Sequence, residues 1–146
     1  MNPNHLAIIK LMRYNAIMDK FGKIIIPVGV IPEKHELETA NFFAELGKNV
    51  EFLPPSYAKG VYSPDVLIDG QRWEIKSPTG NSKRTIENNY RNAQKQSSNV
   101  IFDLRRIGMD ERTAIAKIKQ QFNLRSGKVK RITVITKDKK MLDLGR

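Results

Sequence analysis

The chain has 146 residues, with 26 Lys and Arg against 15 Asp and Glu and a formal charge of +11. A chain of this length forms one domain with a real core, and 40% hydrophobic content with aromatic residues present excludes a disordered basic tail. The absence of cysteine removes disulfide scaffolds, thiolate metal sites and cysteine nucleophiles together, while the excess charge, concentrated in residues 105–146 with 13 basic and 4 acidic groups, suits an acidic or polyanionic partner or a heavily charged solvated surface.

Residues 4–20 have helical spacing through Leu6, Ile9, Ala16 and Ile17. Lys10 and Arg13 interrupt this stretch, and it lacks a cleavage pattern, so it is neither a signal peptide nor a membrane span. The run 24–30, broken by Pro27 and Gly29, reads as an extended link or edge strand. Residues 1–31 are thus expected as an N-terminal helix and link preceding the main body, 32–146, within one compact domain overall. From Pro32 the spacing of Leu37, Ala40, Phe43 and Ala44 predicts a helix stopped by Gly47. The segment VEFLPP then predicts a short strand halted by Pro54 and Pro55. A loop leads into the hairpin PDVLIDGQRWEIK, followed by a helix over 84–97, a strand NVIFDL, a helix over 110–122 and a strand RITVITK. This order predicts an α/β fold with a central mixed sheet flanked by helices.

Asp69-Gly70 suits a type I′ turn, which needs positive φ at both central positions. The register then sets Ile68 against Gln71, Leu67 against Arg72, Val66 against Trp73 and Asp65 against Glu74. Strand alternation places Val66, Ile68, Trp73 and Ile75 on an apolar face and Asp65, Glu74 and Lys76 on the other. Opposed like charges repel unless something positive lies between them. A hard divalent cation, Mg²⁺ or Mn²⁺ rather than Zn²⁺, is the natural candidate, because Asp65 and Glu74 offer oxygen ligands only. Bound there, it would polarise a phosphoryl oxygen, with Lys76 placed to position water or stabilise developing charge. The same residues would also suit a solvated hairpin face on which Lys76 and Arg72 offset the two acids.

Glu36 shares the packing stripe of Ala40 and Phe43 and is a further candidate metal or water ligand; Glu38, with Asn41, Phe42 and Glu45, reads as more exposed and is the fallback. Either acid would equally suit a first helical turn. His35 could shuttle a proton but reads as incidental. The loop SPTGNSKR supplies Ser77, Thr79, Asn81 and Lys83 as candidate phosphate contacts, with Ser82 the expected helix cap. Arg84, Asn88, Arg91 and Lys95 form one polar-basic helical stripe able to follow a phosphate backbone, or simply a solvated face. Lys128, Lys130, Arg131, Lys137, Lys139 and Lys140 form a second basic cluster.

The set Glu36, Asp65 and Glu74-x-Lys76 resembles the PD-(D/E)xK nuclease superfamily. More narrowly, HELETANFFAELG, LPPS, PDVLIDG, WEIKSPTGNSKRTIENN and VIFDLRR resemble the C-terminal tRNase toxin domain of contact-dependent growth inhibition and related polymorphic toxins. The resemblance covers residues 32–106. It implies a restriction-endonuclease-like core and a metal-dependent endonuclease that cleaves tRNA. It further implies Asp65, Glu74 and Glu36 as metal ligands, Lys76 as catalytic lysine, and an acidic immunity protein as partner. Action would be in the bacterial cytoplasm, including that of a target cell after delivery. Two alternatives stand beside it: a DNA endonuclease of the same superfamily, and a non-enzymatic basic protein that binds nucleic acid.

Overall fold

A computed structural model describes residues 2–8, 10, 20–56, 58, 64–125 and 127–146. Residues 3–8 are helical, and the rest of the helix expected over 4–20 lies largely outside the described residues. The main body is one seven-stranded mixed sheet whose strand order follows the chain. Its strands are β1 (Ile24–Ile25), β2 (Val50–Phe52), β3 (Val66–Ile68), β4 (Gln71–Lys76), β5 (Asn99–Asp103), β6 (Arg131–Ile135) and β7 (Met141–Gly145). The helices are α1 (Lys34–Glu45), between β1 and β2, α2 (Thr85–Gln96), between β4 and β5, and α3 (Glu111–Leu124), between β5 and β6. Strands β2 to β4 form an antiparallel meander, and β4, β5 and β6 are parallel neighbours.

Each face of the sheet has its own core. Val50, Phe52, Val66, Ile68, Ile75, Ile101 and Ile135 pack against Ala40, Phe42 and Phe43 of α1. On the opposite face, Val100, Phe102, Ile132 and Val134 pack against Ile86, Tyr90 and Ala93 of α2 and Ala114, Ile118 and Phe122 of α3. Phe42, one turn after exposed Glu38, is buried, with Arg105 over its ring at 5.3 Å. Since β1 and β2 are parallel and step the same way as β4 and β5, opposite helical faces require these two crossovers to differ in hand.

Local chemistry explains the element ends. Glu33 and Glu36 form a reciprocal capping box at α1, and Gly47, at φ +85°, ends it. Asp110 caps α3 by accepting the Thr113 N–H at 3.0 Å. The expected Ser82 cap is not formed: its N–H donates to Thr85 Oγ1 at 3.1 Å, and α2 starts after Arg84 without a side-chain cap. Asp69 and Gly70 both have positive φ, and the hairpin register runs as expected from Ile68↔Gln71 to Val66↔Trp73.

Strand β7 was not expected. Its turn carries positive φ at Lys139 rather than at a Gly or Asn, and its only partly covered apolar residues are Leu142 and Leu144. The helices run antiparallel to the parallel strands, so the start of α1, the residue before β3 and the ends of β4 and β5 share one edge of the sheet.

Candidate active site

The β3–β4 ladder stops at Asp65, whose N–H still donates to the Trp73 carbonyl at 3.1 Å. Asp65 Oδ2 then accepts the Ile75 N–H at 2.8 Å. A side chain thus takes a backbone donor where the ladder runs out, and this fixes the Asp65 carboxylate beside the segment from Glu74 to Lys76. Glu74 is 3% exposed, and one of its oxygens, Oε1, contacts Lys76 Nζ at 3.0 Å. The other, Oε2, is buried without a hydrogen-bond partner.

Burial, then the charge of Asp65, pushes the Glu74 carboxyl up to about 8, with Lys76 acting against them. Burial also raises Asp65, opposed by the Ile75 hydrogen bond and Lys76. The two acids are therefore partly buried, mutually coupled and incompletely offset by one lysine. Arg72 is exposed at the far end of the strand.

Glu36 is half-buried in the first turn of α1, with Oε2 accepting the Glu33 N–H at 3.0 Å. Burial raises its pKa first; the Glu33 hydrogen bond lowers it and the Asp65 charge raises it. Both Glu36 and Asp65 line a cavity of about 660 Å³ bounded by Val30, Pro32, Phe52 and Pro55. Glu38 is exposed and pairs with Lys34, while His35 Nδ1 lies 3.3 Å from Glu33. Gln96, at the end of α2, lines the same cavity and was not singled out from sequence. Its signal was a seven-residue spacing from half-buried Asn89, on the flank next to the exposed stripe.

Of the expected loop contacts, Ser77 is buried, with both its carbonyl and hydroxyl oxygens accepting from Arg106 Nε, at 2.9 and 2.8 Å. Thr79, Asn81 and Lys83 are exposed. Arg84, Asn88, Arg91 and Lys95 do share one exposed side of α2, although Arg91 is engaged with Glu87 at 2.9 Å. In the C-terminal cluster, Lys128, Lys130, Arg131, Lys137, Lys139 and Lys140 are all exposed, and Arg131 also stacks over Trp73 at 4.9 Å.

A polar network beside this edge also escaped the sequence reading. Buried Thr39 donates to Asp103 Oδ2 at 2.7 Å, and Arg105 binds both Asp103 oxygens and the Glu38 carbonyl. Burial would raise Asp103, but the hydrogen bonds from Arg105 and Thr39 hold it below the usual carboxylate value. The network fastens α1, and with it Glu36, to the end of β5.

The donor set suits a hard cation. Glu74 Oε2 is an orphaned buried oxygen next to a second carboxylate, and Mg²⁺ commonly takes one or two carboxylates while keeping its waters. Among the described residues no group of three or more His, Cys, Asp or Glu is gathered closely enough to hold a metal, so the protein's contribution centres on the Asp65–Glu74 pair.

Residues 62–141 match the model of a family described as the contact-dependent growth inhibition CdiA C-terminal domain. The fold is similar to that of a chain in a CdiA-CT/CdiI toxin and immunity complex from Burkholderia pseudomallei, with a TM-score of 0.60 and 20% identity over 86% of this chain and 100% of that one. No curated protein matches the sequence.

Proposed function

The chain belongs to the contact-dependent growth inhibition CdiA C-terminal domain family, and from that premise we propose that it is a toxin module acting as a metal-dependent endonuclease, with tRNA as substrate. The observation that carries the proposal is the coupled pair of half-buried Asp65 and buried Glu74, with Glu74 Oε2 unpartnered and Lys76 at 3.0 Å from Oε1. Placed at one sheet edge with Glu36, these residues fit the metal-ligand and lysine roles of a PD-(D/E)xK nuclease. The β2–β4 meander followed by two parallel strands with helical crossovers is consistent with a restriction-endonuclease-like core.

In this reading Asp65 and Glu74, with Glu36 alongside, would hold Mg²⁺ or Mn²⁺, which would supply Lewis acidity at the scissile phosphate. The Ile75 N–H fixes the direction of the Asp65 carboxylate. Lys76, held against Glu74, directs its remaining N–H groups toward a non-bridging oxygen of the scissile phosphate. Water gives up a proton to solvent as its oxygen bonds to phosphorus and the bond to the leaving oxygen breaks, and the leaving oxygen takes a proton from solvent, so the step consumes one water. The surplus of basic charge, +11 overall, supports a polyanionic substrate.

The family also supports an immunity protein as partner, and the basic surface fits an acidic one. No helix among the described residues is long and apolar enough to cross a membrane; the site of action in this reading is the cytoplasm of the cell that receives the toxin. In this reading residues 32–146 carry the nuclease machinery, and the segment before them adds β1 to its sheet.

The test is incubation of purified protein with total tRNA and, separately, plasmid DNA, each with Mg²⁺, Mn²⁺ or EDTA, with Lys76→Ala in parallel. Discrete tRNA fragments that need both metal and Lys76 are expected. Cut DNA with intact RNA would transfer the site to DNA, and no cleavage of either would overturn the enzymatic reading.

A further inference from the structure

Arg106 is an exposed cation whose orientation is fixed by neutral groups. Its Nε donates to the carbonyl and hydroxyl oxygens of Ser77, the residue directly after Lys76. Among the described residues no ion pair or hydrogen bond engages its terminal nitrogens. Neighbouring Arg105 shows the contrast, because its guanidinium is committed to Asp103.

The loop carrying Arg106 is also held in place. A Cβ on Gly108 would lie 2.6 Å from the Thr79 carbonyl oxygen, so the β5–α3 loop lies directly on the loop that follows Lys76. A guanidinium anchored through Nε keeps a planar pair of N–H groups directed outward, the geometry that binds phosphate bidentately. Lys83 and Arg84, exposed on the same loop as Ser77, form no ion pair among the described residues and add two free positive charges beside Arg106.

We propose that Arg106 is a binding residue for a substrate backbone phosphate neighbouring the cleaved one; this rests on the polynucleotide reading above. It draws the strand across the end of β4, so the scissile phosphate meets Lys76 while the next lies in the Arg106 fork. The contact reads charge and geometry, not base identity.

The experiment is titration of wild type, Arg106→Gln and Arg106→Lys with a fluorescent single-stranded RNA in EDTA over a range of NaCl concentrations, with thermal melts of each variant. Arg106→Gln is expected to bind about tenfold more weakly at low salt, with a log–log salt slope shallower by about 0.7. Arg106→Lys is expected to keep the wild-type slope and bind a few-fold more weakly. Both substitutions lose the Nε contact with Ser77, so equal losses with one common slope would mean a purely structural tie and overturn the proposal. Should Arg106→Gln not fold, Arg106→Lys decides alone: wild-type affinity overturns the proposal. Failure of the wild type to bind RNA would instead overturn the polynucleotide reading from which it starts.

Discussion

Glu74 is the residue at which the metal-free protein is least at ease. Its folded-state pKa, about 8, lies above its ordinary 4.5, so between these values the native state binds the extra proton. Stability therefore falls as pH rises through that window, by about 1.4 kcal/mol per pH unit. In EDTA at pH 9, Glu74→Gln is expected to melt above wild type, with the difference shrinking toward pH 4. A melt that shows no gain at pH 9 would mean the carboxylate is already neutralised within the protein. Asp103 has the opposite sign: its lowered pKa stabilises the fold above the ordinary carboxylate range, and that contribution disappears as pH falls through the folded value. Asp103→Asn should cost about 2–3 kcal/mol in urea unfolding at pH 7, because Arg105 and Thr39 lose their shared partner.

At the level of elements, α1 carries two separable duties. Its capping box depends on an acceptor at residue 36, which Gln supplies as well as Glu, whereas a cation needs the charge. Glu36→Gln is expected to keep the melting temperature and lower cleavage at least about tenfold, and Glu36→Ala to lose about 1 kcal/mol of stability as well. Equal activity in wild type and Glu36→Gln would leave Glu36 with the cap alone.

The same scale shows what the sequence made legible. The Asp69-Gly70 turn and the alternation of Val66, Trp73 and Ile75 specified register and faces, because one turn type and a period of two admit one solution. Strand β7 was hidden because its turn uses Lys139 and its side chains are at best half-buried. The Thr39–Asp103–Arg105 network was hidden for another reason: Thr39 and Asp103 are 64 residues apart, and no local pattern announces that contact. Gln96 and Arg106 likewise acquire meaning only from the loops and helix ends that bring them to the site edge.

For the whole molecule, the N-terminal segment is part of the sheet rather than a mere tether. β1 pairs in parallel with β2, Ile24 packs on the α1-side core, and a Cβ on Gly22 would lie 1.7 Å from the Lys48 carbonyl oxygen. A chain beginning at residue 32 is therefore expected to retain a folded core with a melting temperature several degrees lower. Thermal unfolding of the two forms side by side checks this, and identical midpoints would make 1–31 energetically silent.

The sheet's plain order, β1 through β7 in chain sequence, bears on how the molecule is made. Every strand docks on the one before it, so no part of the sheet must wait for a later segment to be threaded between two earlier ones. Loop-closure entropy is incurred in short instalments, and contact order stays modest for a fold with parallel neighbours. Assembly can then run vectorially from the amino end, each added strand extending an edge already in place. Stopped-flow refolding within the range of mixed α/β domains, without a slow strand-exchange phase, is the kinetic signature that such an arrangement carries.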